Sequence, residues 1–200
     1  MIFFTADTHF WHYNIIQYCN RPVPGGEIQE MNDLIIDNWN SRIKPSDEVY
    51  HLGDFAFCGV EKKKDIIKRL NGIKYLIRGN HDPKDNAWWI TAGFEWVRDY
   101  YVLKVHDVYQ NEEDETKFQQ YHQPIVLCHF PILSWDGMIH GTWHLHGHCH
   151  GSIDSTWNKT GLRMDVGVDT NNLYPYSYDE IKQRMFMRSV VPTDHHGERK

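Results

Sequence analysis

Several features that would place this 200-residue chain in a familiar class are missing. Its four cysteines, Cys19, Cys58, Cys128 and Cys149, include no C-x-x-C pair. That argues against a structural zinc knuckle and against a secreted disulfide framework, so reduced thiols are expected. No apolar run approaches the roughly 18 residues of a membrane span. Residues 1–6 lead straight into Asp7 with no basic stretch or cleavage site, so a cytoplasmic protein without a membrane partner is expected. Beyond Lys62, Lys63 and Lys64 there is no basic block, and the formal net charge is -6. A long nucleic acid would find no electrostatic footprint here, whereas a small phosphorylated or nucleotide-like substrate is easily reconciled with it. Low-complexity tracts are absent too. The length and a hydrophobic content of 40% suit one domain, expected over 1–190, with 191–200 a flexible tail.

What the chain does have is histidine, 14 copies, with His144, His146, His148 and His150 spaced by two. Five short stretches combine imidazole, carboxylate or amide with small neighbours: Asp7-Thr8-His9, Gly53-Asp54, Gly79-Asn80-His81-Asp82, Cys128-His129 and Gly147-His148-Cys149-His150. Imidazole nitrogen with carboxylate and amide oxygen is a donor set for divalent transition metals. A pair of such ions about 3.5–4 Å apart can clamp both the attacking and the leaving oxygen of a phosphoester.

The stretches fall at the ends of apolar segments. Ile2 to Ala6 reads as a buried strand that delivers Asp7. Ile28, Met31, Leu34, Ile35, Trp39 and Ile43 follow helical spacing. Glu48 to Leu52 predicts a strand before Gly53-Asp54, Val60 to Leu70 a helix, and Ile73 to Ile77 a strand before Gly79. The second half reads as more antiparallel, with strands in Trp96 to His106, Pro124 to Cys128, Trp143 to His146 and Leu162 to Val168. The acidic residues Glu112, Glu113, Asp114 and Glu115 suit a solvated hairpin loop, and Ser177-x-x-Glu180 is a capping box opening a last helix through Met187. The tryptophan-rich stretch from Trp88 fits either core or an oligomer surface.

Taken singly, most of these stretches have an ordinary explanation. Asp54 after a glycine suits a turn, and a lone His129 suits a hydrogen-bonded core residue. Gly79-Asn80-His81-Asp82 is more specific: Asn80 suits a ligand, His81 a group facing substrate, and Asp82 a carboxylate that orients the His81 ring. His148 and His150 lie two apart on one face, with Cys149 turned away. His12 and Asn14 suit either substrate contact or loop fixing, Arg78 either a phosphate or a structural ion pair, and His146 a supporting position.

Taken in order, D-x-H, G-D, G-N-H-D, a lone histidine after a strand and G-H-x-H resemble the calcineurin-like metallophosphoesterase superfamily, over Asp7 to His150. The opening from Asp7 to Ile16 and the His129-Phe130-Pro131 segment further resemble a small bacterial and phage branch. The resemblance implies a four-layer α/β/β/α sandwich of two mixed sheets flanked by helices. It also implies that Asp7, His9 and His150 bind one metal, that Asn80, His129 and His148 bind another, and that Asp54 bridges them. The ions would be manganese first, with iron, zinc, nickel or cobalt as alternatives. A hydroxide generated between them would attack phosphorus in line, with His81 at the leaving oxygen. A phosphodiesterase is the preferred expectation. A phosphomonoesterase, a nuclease and a non-catalytic metal-binding module are the alternatives. Two residues depart from the pattern: Cys128 replaces a small residue, and Trp11 stands where the branch has glycine, as pocket wall or as a surface for a base. The protein-phosphatase form G-D-x-V-D-R-G is absent, since Gly53-Asp54 continues as Phe55-Ala56-Phe57. A phosphoprotein substrate is therefore not expected.

Overall fold

A computed structural model describes residues 1–110, 118–153 and 161–190. The acidic segment 112–115 and the tail 191–200 lie outside these residues, and so do the expectations for them.

The chain folds as α/β, with two mixed sheets and flanking helices. The first sheet begins with β1 (Ile2–Thr5), β2 (Glu48–His51), β3 (Ile73–Ile77) and β4 (Phe94–Arg98), all parallel. A two-residue β9 (Tyr176–Ser177) pairs antiparallel with β1 at its other edge. Helices α1 (Ile15–Tyr18), α2 (Ile28–Arg42), α3 (Val60–Arg69) and α4 (Asn86–Ala92) connect the parallel strands. Alternation along β1 sends Phe3 toward the helices and Phe4 toward the second sheet, each 2% exposed or less. The α2 spacing expected from sequence is realised, with Met31, Ile35 and Trp39 each at most 1% exposed. Burying side chains of this size is worth roughly 1.5–3 kcal/mol each.

The second sheet contains β5 (Tyr100–Gln110), β6 (Phe118–Cys128), β7 (Trp143–His146) and β8 (Arg163–Asp165) in that order. Only β5 and β6 are antiparallel; β6, β7 and β8 run parallel, which corrects the more antiparallel reading of this half. Register partners share a face, so Leu103, Ile125 and Trp143 line one side with Tyr101, Leu127, Leu145 and Met164. That side joins Phe4, Tyr50, Leu52 and Ile77 of the first sheet in a common core. On the other side, segment 130–142 with its 3-10 turn Met138–His140 covers β7. Trp135 lies 5.3 Å from the His144 ring, and the Ile132 amide donates to His144 Nε2. His144 is wholly buried, and burial pushes its imidazole down to about 3, so it packs as a neutral ring.

α5 (Tyr178–Phe186) opens on the expected capping box: Ser177 Oγ accepts from the Glu180 amide and Glu180 Oε2 from the Ser177 amide. Trp89 of α4 is fully buried and joins Ala92, Phe94 and Val97 in the core, whereas Ile90, Thr91, Glu95 and Arg98 of the same tryptophan-rich stretch are exposed. Among the described residues, no helix is long and apolar enough to cross a membrane.

Candidate metal centre

Parallel strands deliver their carboxyl ends to one side of a sheet, where connecting loops converge on a crevice. Here β1, β2 and β3 of one sheet and β6, β7 and β8 of the other do so together. A parallel bridge between Ala6 and Gly167 links the two sheets at this point. The loop after β1 runs beside the loop after β2: Asp7 N donates to Gly53 O, His9 N to Asp54 O and Phe10 N to Phe55 O. All seven expected ligands lie in these loops.

They form two groups that meet at Asp54. Asp7, His9 and His150 offer donor atoms within 4.8 Å of one another, and Asp54, His129 and His148 do the same. Asp54 Oδ2 lies 3.8 Å from His9 Nε2 and 3.5 Å from His129 Nε2, between the groups. Asn80 Oδ1 sits 3.1 Å from His129 Nε2, beside the second group.

The surrounding hydrogen bonds leave the inward-facing atoms free. His129 Nδ1 donates to Leu52 O at 2.7 Å, so its Nε2 carries a lone pair. His150 Nδ1 is held by Asp169 Oδ2 at 2.6 Å. His9 Nδ1 is 3.3 Å from His12 Nδ1, so His12 supports a ligand histidine. His9 Nε2 and Asp7 Oδ1 are buried with no hydrogen-bond partner. Orphaned buried acceptors are costly unless something claims them, and a divalent cation fits both. The electrostatics agree with this. Burial pushes His9 down to about 2 and also lowers His129 and His148, leaving neutral imidazoles able to ligate. Burial holds Asp7 well above the usual carboxylate range despite nearby His150, with Asp165 and Asp54 adding repulsion. A cation would reverse that balance.

Backbone strain marks the same residues. Asp7, His9, Asp54, His148 and His150 all hold positive φ, between 48° and 70°. Side chains rarely adopt this region, and it recurs where function over-determines the backbone. Gly147 makes room for it, since a Cβ there would stand 2.6 Å from Asp7 Oδ2.

Asp82 does not orient His81. Its Oδ2 accepts from the amides of Asp54 and Gly79, at 2.8 and 2.9 Å, and its Oδ1 from Phe55. The carboxylate is spent on the backbone of the Asp54 loop, which corrects the catalytic role expected from its position beside His81. The His81 amide donates to Asp54 Oδ1, and its ring is 48% exposed with Nε2 4.0 Å from Asp54 Oδ2. Arg78 is structural: it pairs with Asp99 and binds the Lys84 carbonyl and the Asn86 side chain. Trp11 is pocket wall, with Lys62 Nζ 3.5 Å from its ring centroid. Asn14 stands at the N-terminal boundary of α1, exposed and without a side-chain hydrogen bond to the helix. His146 is wholly buried, its Nδ1 against Gly147 O. Cys149 belongs to neither ligand group, and none of the four cysteines is in a disulfide.

Two residues essential to this geometry carried no signal in the sequence. The fully buried Arg21 side chain clamps Asp169 with Nε and Nη2 and donates to the carbonyls of Thr8 and Asp7. Asp169 in turn orients His150. Although burial opposes it, the Asp169 hydrogen bond, helped by Cys19 and by the charges of Asp7 and Asp169, brings His150 up to about 10. Cys19, His150 and Asp169 form a third group of metal-ligating type. The Arg21 guanidinium bonded to Asp169 makes that group an ion-pair network and repels a cation from it. Outer partners of ligand histidines are worth about 10–100-fold in metal affinity. Asp169→Asn is therefore expected to weaken metal binding, measured by calorimetry, by about that factor at one of two sites; unchanged binding at both would remove Asp169 from the centre.

No family model matches the chain. The crystal structure of AQ665, a protein of unknown function from Aquifex aeolicus, superposes with a TM-score of 0.61 at 25% identity, covering 92% of this chain and 98% of that one. The uncharacterized protein MJ1445 of Methanocaldococcus jannaschii is 32% identical over 197 residues, 96% of this chain and 95% of its own length. At that identity over nearly the whole of both proteins, the chain belongs to the same family as MJ1445.

Proposed function

We propose that this protein is a dinuclear-metal-dependent phosphoesterase with the calcineurin-like sandwich fold, acting by preference on a phosphodiester in a small or nucleotide-like substrate. The observation that carries this reading is Asp54 Oδ2, placed between His9 Nε2 and His129 Nε2 where two groups of histidines and carboxylates meet. Asp7, His9 and His150 would hold one divalent ion, Asn80, His129 and His148 the other, and Asp54 both. Manganese is the first choice, and iron, zinc, nickel or cobalt suit the same donors. Such ions supply an activated water and neutralise charge on the phosphoryl oxygens.

The chain's own residues account for the remaining needs of the reaction. His81, half exposed and fixed to Asp54 through its amide, offers Nε2 to the leaving oxygen and can deliver a proton there. Asp82 keeps the Asp54 loop in place from behind. Arg21 and Arg78, the guanidinium groups nearest the ligand loops in sequence, are engaged by Asp169 and Asp99, so neither serves the extra charge of a monoester dianion. This favours the diester.

The test compares an alkyl phosphodiester, a nitrophenyl phosphodiester and a monoester, with protein stripped and reloaded with manganese. Manganese-dependent cleavage of the diesters is expected. His81→Gln should slow the alkyl diester by about 10²-fold or more. The nitrophenyl diester should lose far less, because its leaving group needs no proton. Inactivity toward every ester with two metals bound would overturn the assignment.

A further inference from the structure

Two exposed aromatic rings flank the candidate centre, one beside each ligand group. Phe57 is 38% exposed, with its ring 5.2 Å from His9, 4.2 Å from His12 and 4.7 Å from His81. His9 and His12 are themselves 5.2 Å apart, so both lie to one side of Phe57 and do not sandwich it. Phe130 is 44% exposed and lies 5.0 Å from His129 and 4.8 Å from His148. Scattered exposed apolar residues are ordinary. Two phenylalanines that each rest on histidines of a different ligand group are not scattered.

The Phe57 side opens into a shallow cavity of about 490 Å³, walled by Trp11, Phe57, Val60 and Lys62. Pockets of roughly 300–1,000 Å³ hold ligands of nucleoside size. Lys62 packs over Trp11 and stiffens that wall, and the first turn of α3 at the cavity edge has no side-chain cap on its amides. Unclaimed amides can donate to the ring nitrogens and oxygens of a heterocycle.

We infer that the substrate is a short phosphodiester bearing a planar heterocycle on each arm, one against Phe57 and its cavity, the other against Phe130. This rests on the phosphodiesterase reading above. In the reaction, water's oxygen bonds to phosphorus, the bond from phosphorus to the leaving arm's oxygen breaks, and that oxygen takes a proton. A monoester has one arm and would leave one ring unused. A net charge of -6 disfavours a long polyanion and suits a dinucleotide-sized molecule. Stacking on aromatic side chains tolerates any base, since every base has a π-face.

Two measurements test this. The first compares kcat/KM of manganese-loaded protein for thymidylyl-thymidine and for the same diester with both bases removed. A preference of about tenfold or more for the base-bearing diester is expected. Phe57→Ala and Phe130→Ala should each shrink that ratio severalfold, and Phe57→Tyr should keep it. The ratio is taken within one protein preparation, so partial unfolding of a variant cancels. Equal rates for the two diesters, or a ratio that survives both alanine substitutions, would overturn the inference and leave the phosphodiesterase reading standing. The second measurement is decisive if neither diester is cleaved: saturation-transfer NMR of adenosine against ribose on metal-free protein. A saturation-transfer signal on the adenine protons that disappears in Phe57→Ala would keep the aromatic subsite whatever the outcome for the phosphodiesterase reading. No such signal with the unsubstituted protein would end the inference as well.

Discussion

Asp54→Asn is expected to cut manganese-dependent ester hydrolysis on the order of 10³-fold and to lower bound metal from two ions toward one or none. The carboxylate is 3% exposed and faces His9 and His129 through one oxygen while the other accepts the His81 amide. An asparagine can keep the amide interaction with Oδ1, so the loop should fold as before. Its Nδ2 then points at the two Nε2 atoms, where its hydrogens bond the lone pairs that would hold metal. The negative charge between the two ions is lost as well, and with His9, Asp54 and His129 buried their repulsion is weakly screened. Metal analysis beside the rate separates the effects. Full activity with two ions retained would show that Asp54 does not bridge.

Gly53→Ala should produce the largest loss of stability, about 4 kcal/mol or more. Gly53 holds φ at +93°, and a Cβ there would lie 2.5 Å from Gly79 N, 2.6 Å from Gly79 Cα and 2.7 Å from His129 Nδ1. The first two neighbours are backbone, held by Asp82 through the Gly79 amide, and cannot swing aside. At roughly 2–4 °C per kcal/mol for a chain of this size, the melting temperature should fall by about 8–16 °C. Gly59→Ala is the control, because a Cβ there meets nothing within 4 Å. A melting temperature unchanged in Gly53→Ala would mean that the second and third motifs do not abut as described.

The residues that meet at the candidate centre were legible in the sequence because each follows an apolar strand directly, so local pattern and chemistry coincide within a few positions. Arg21 and Asp169 were not, because they meet across 148 positions and neither lies in a motif. Asp82 was legible as a member of the site and misread in its role: adjacency suggested His81, whereas its partners are the Gly79 amide and two amides 27 and 28 positions earlier in the chain. Helix α4 went unseen because it has only seven residues, capped by the Asp85 side chain at the Trp88 amide. The parallel course of β6, β7 and β8 was hidden by its connections. Segment 130–142 crosses over without the helical periodicity that usually announces a parallel pair.

The left-handed backbone at five ligands also bears on how such a site can be lost. Asparagine and glycine tolerate positive φ better than most residues do, so Asp7→Asn or His150→Gly would relieve strain, and Asp7→Asn would also remove a buried ionisable group. The first replacements at the candidate centre therefore run downhill in conformational energy. On the proposed reading, a chain that replaced these residues would keep the scaffold and gain robustness, so holding all seven at the centre costs conformational energy.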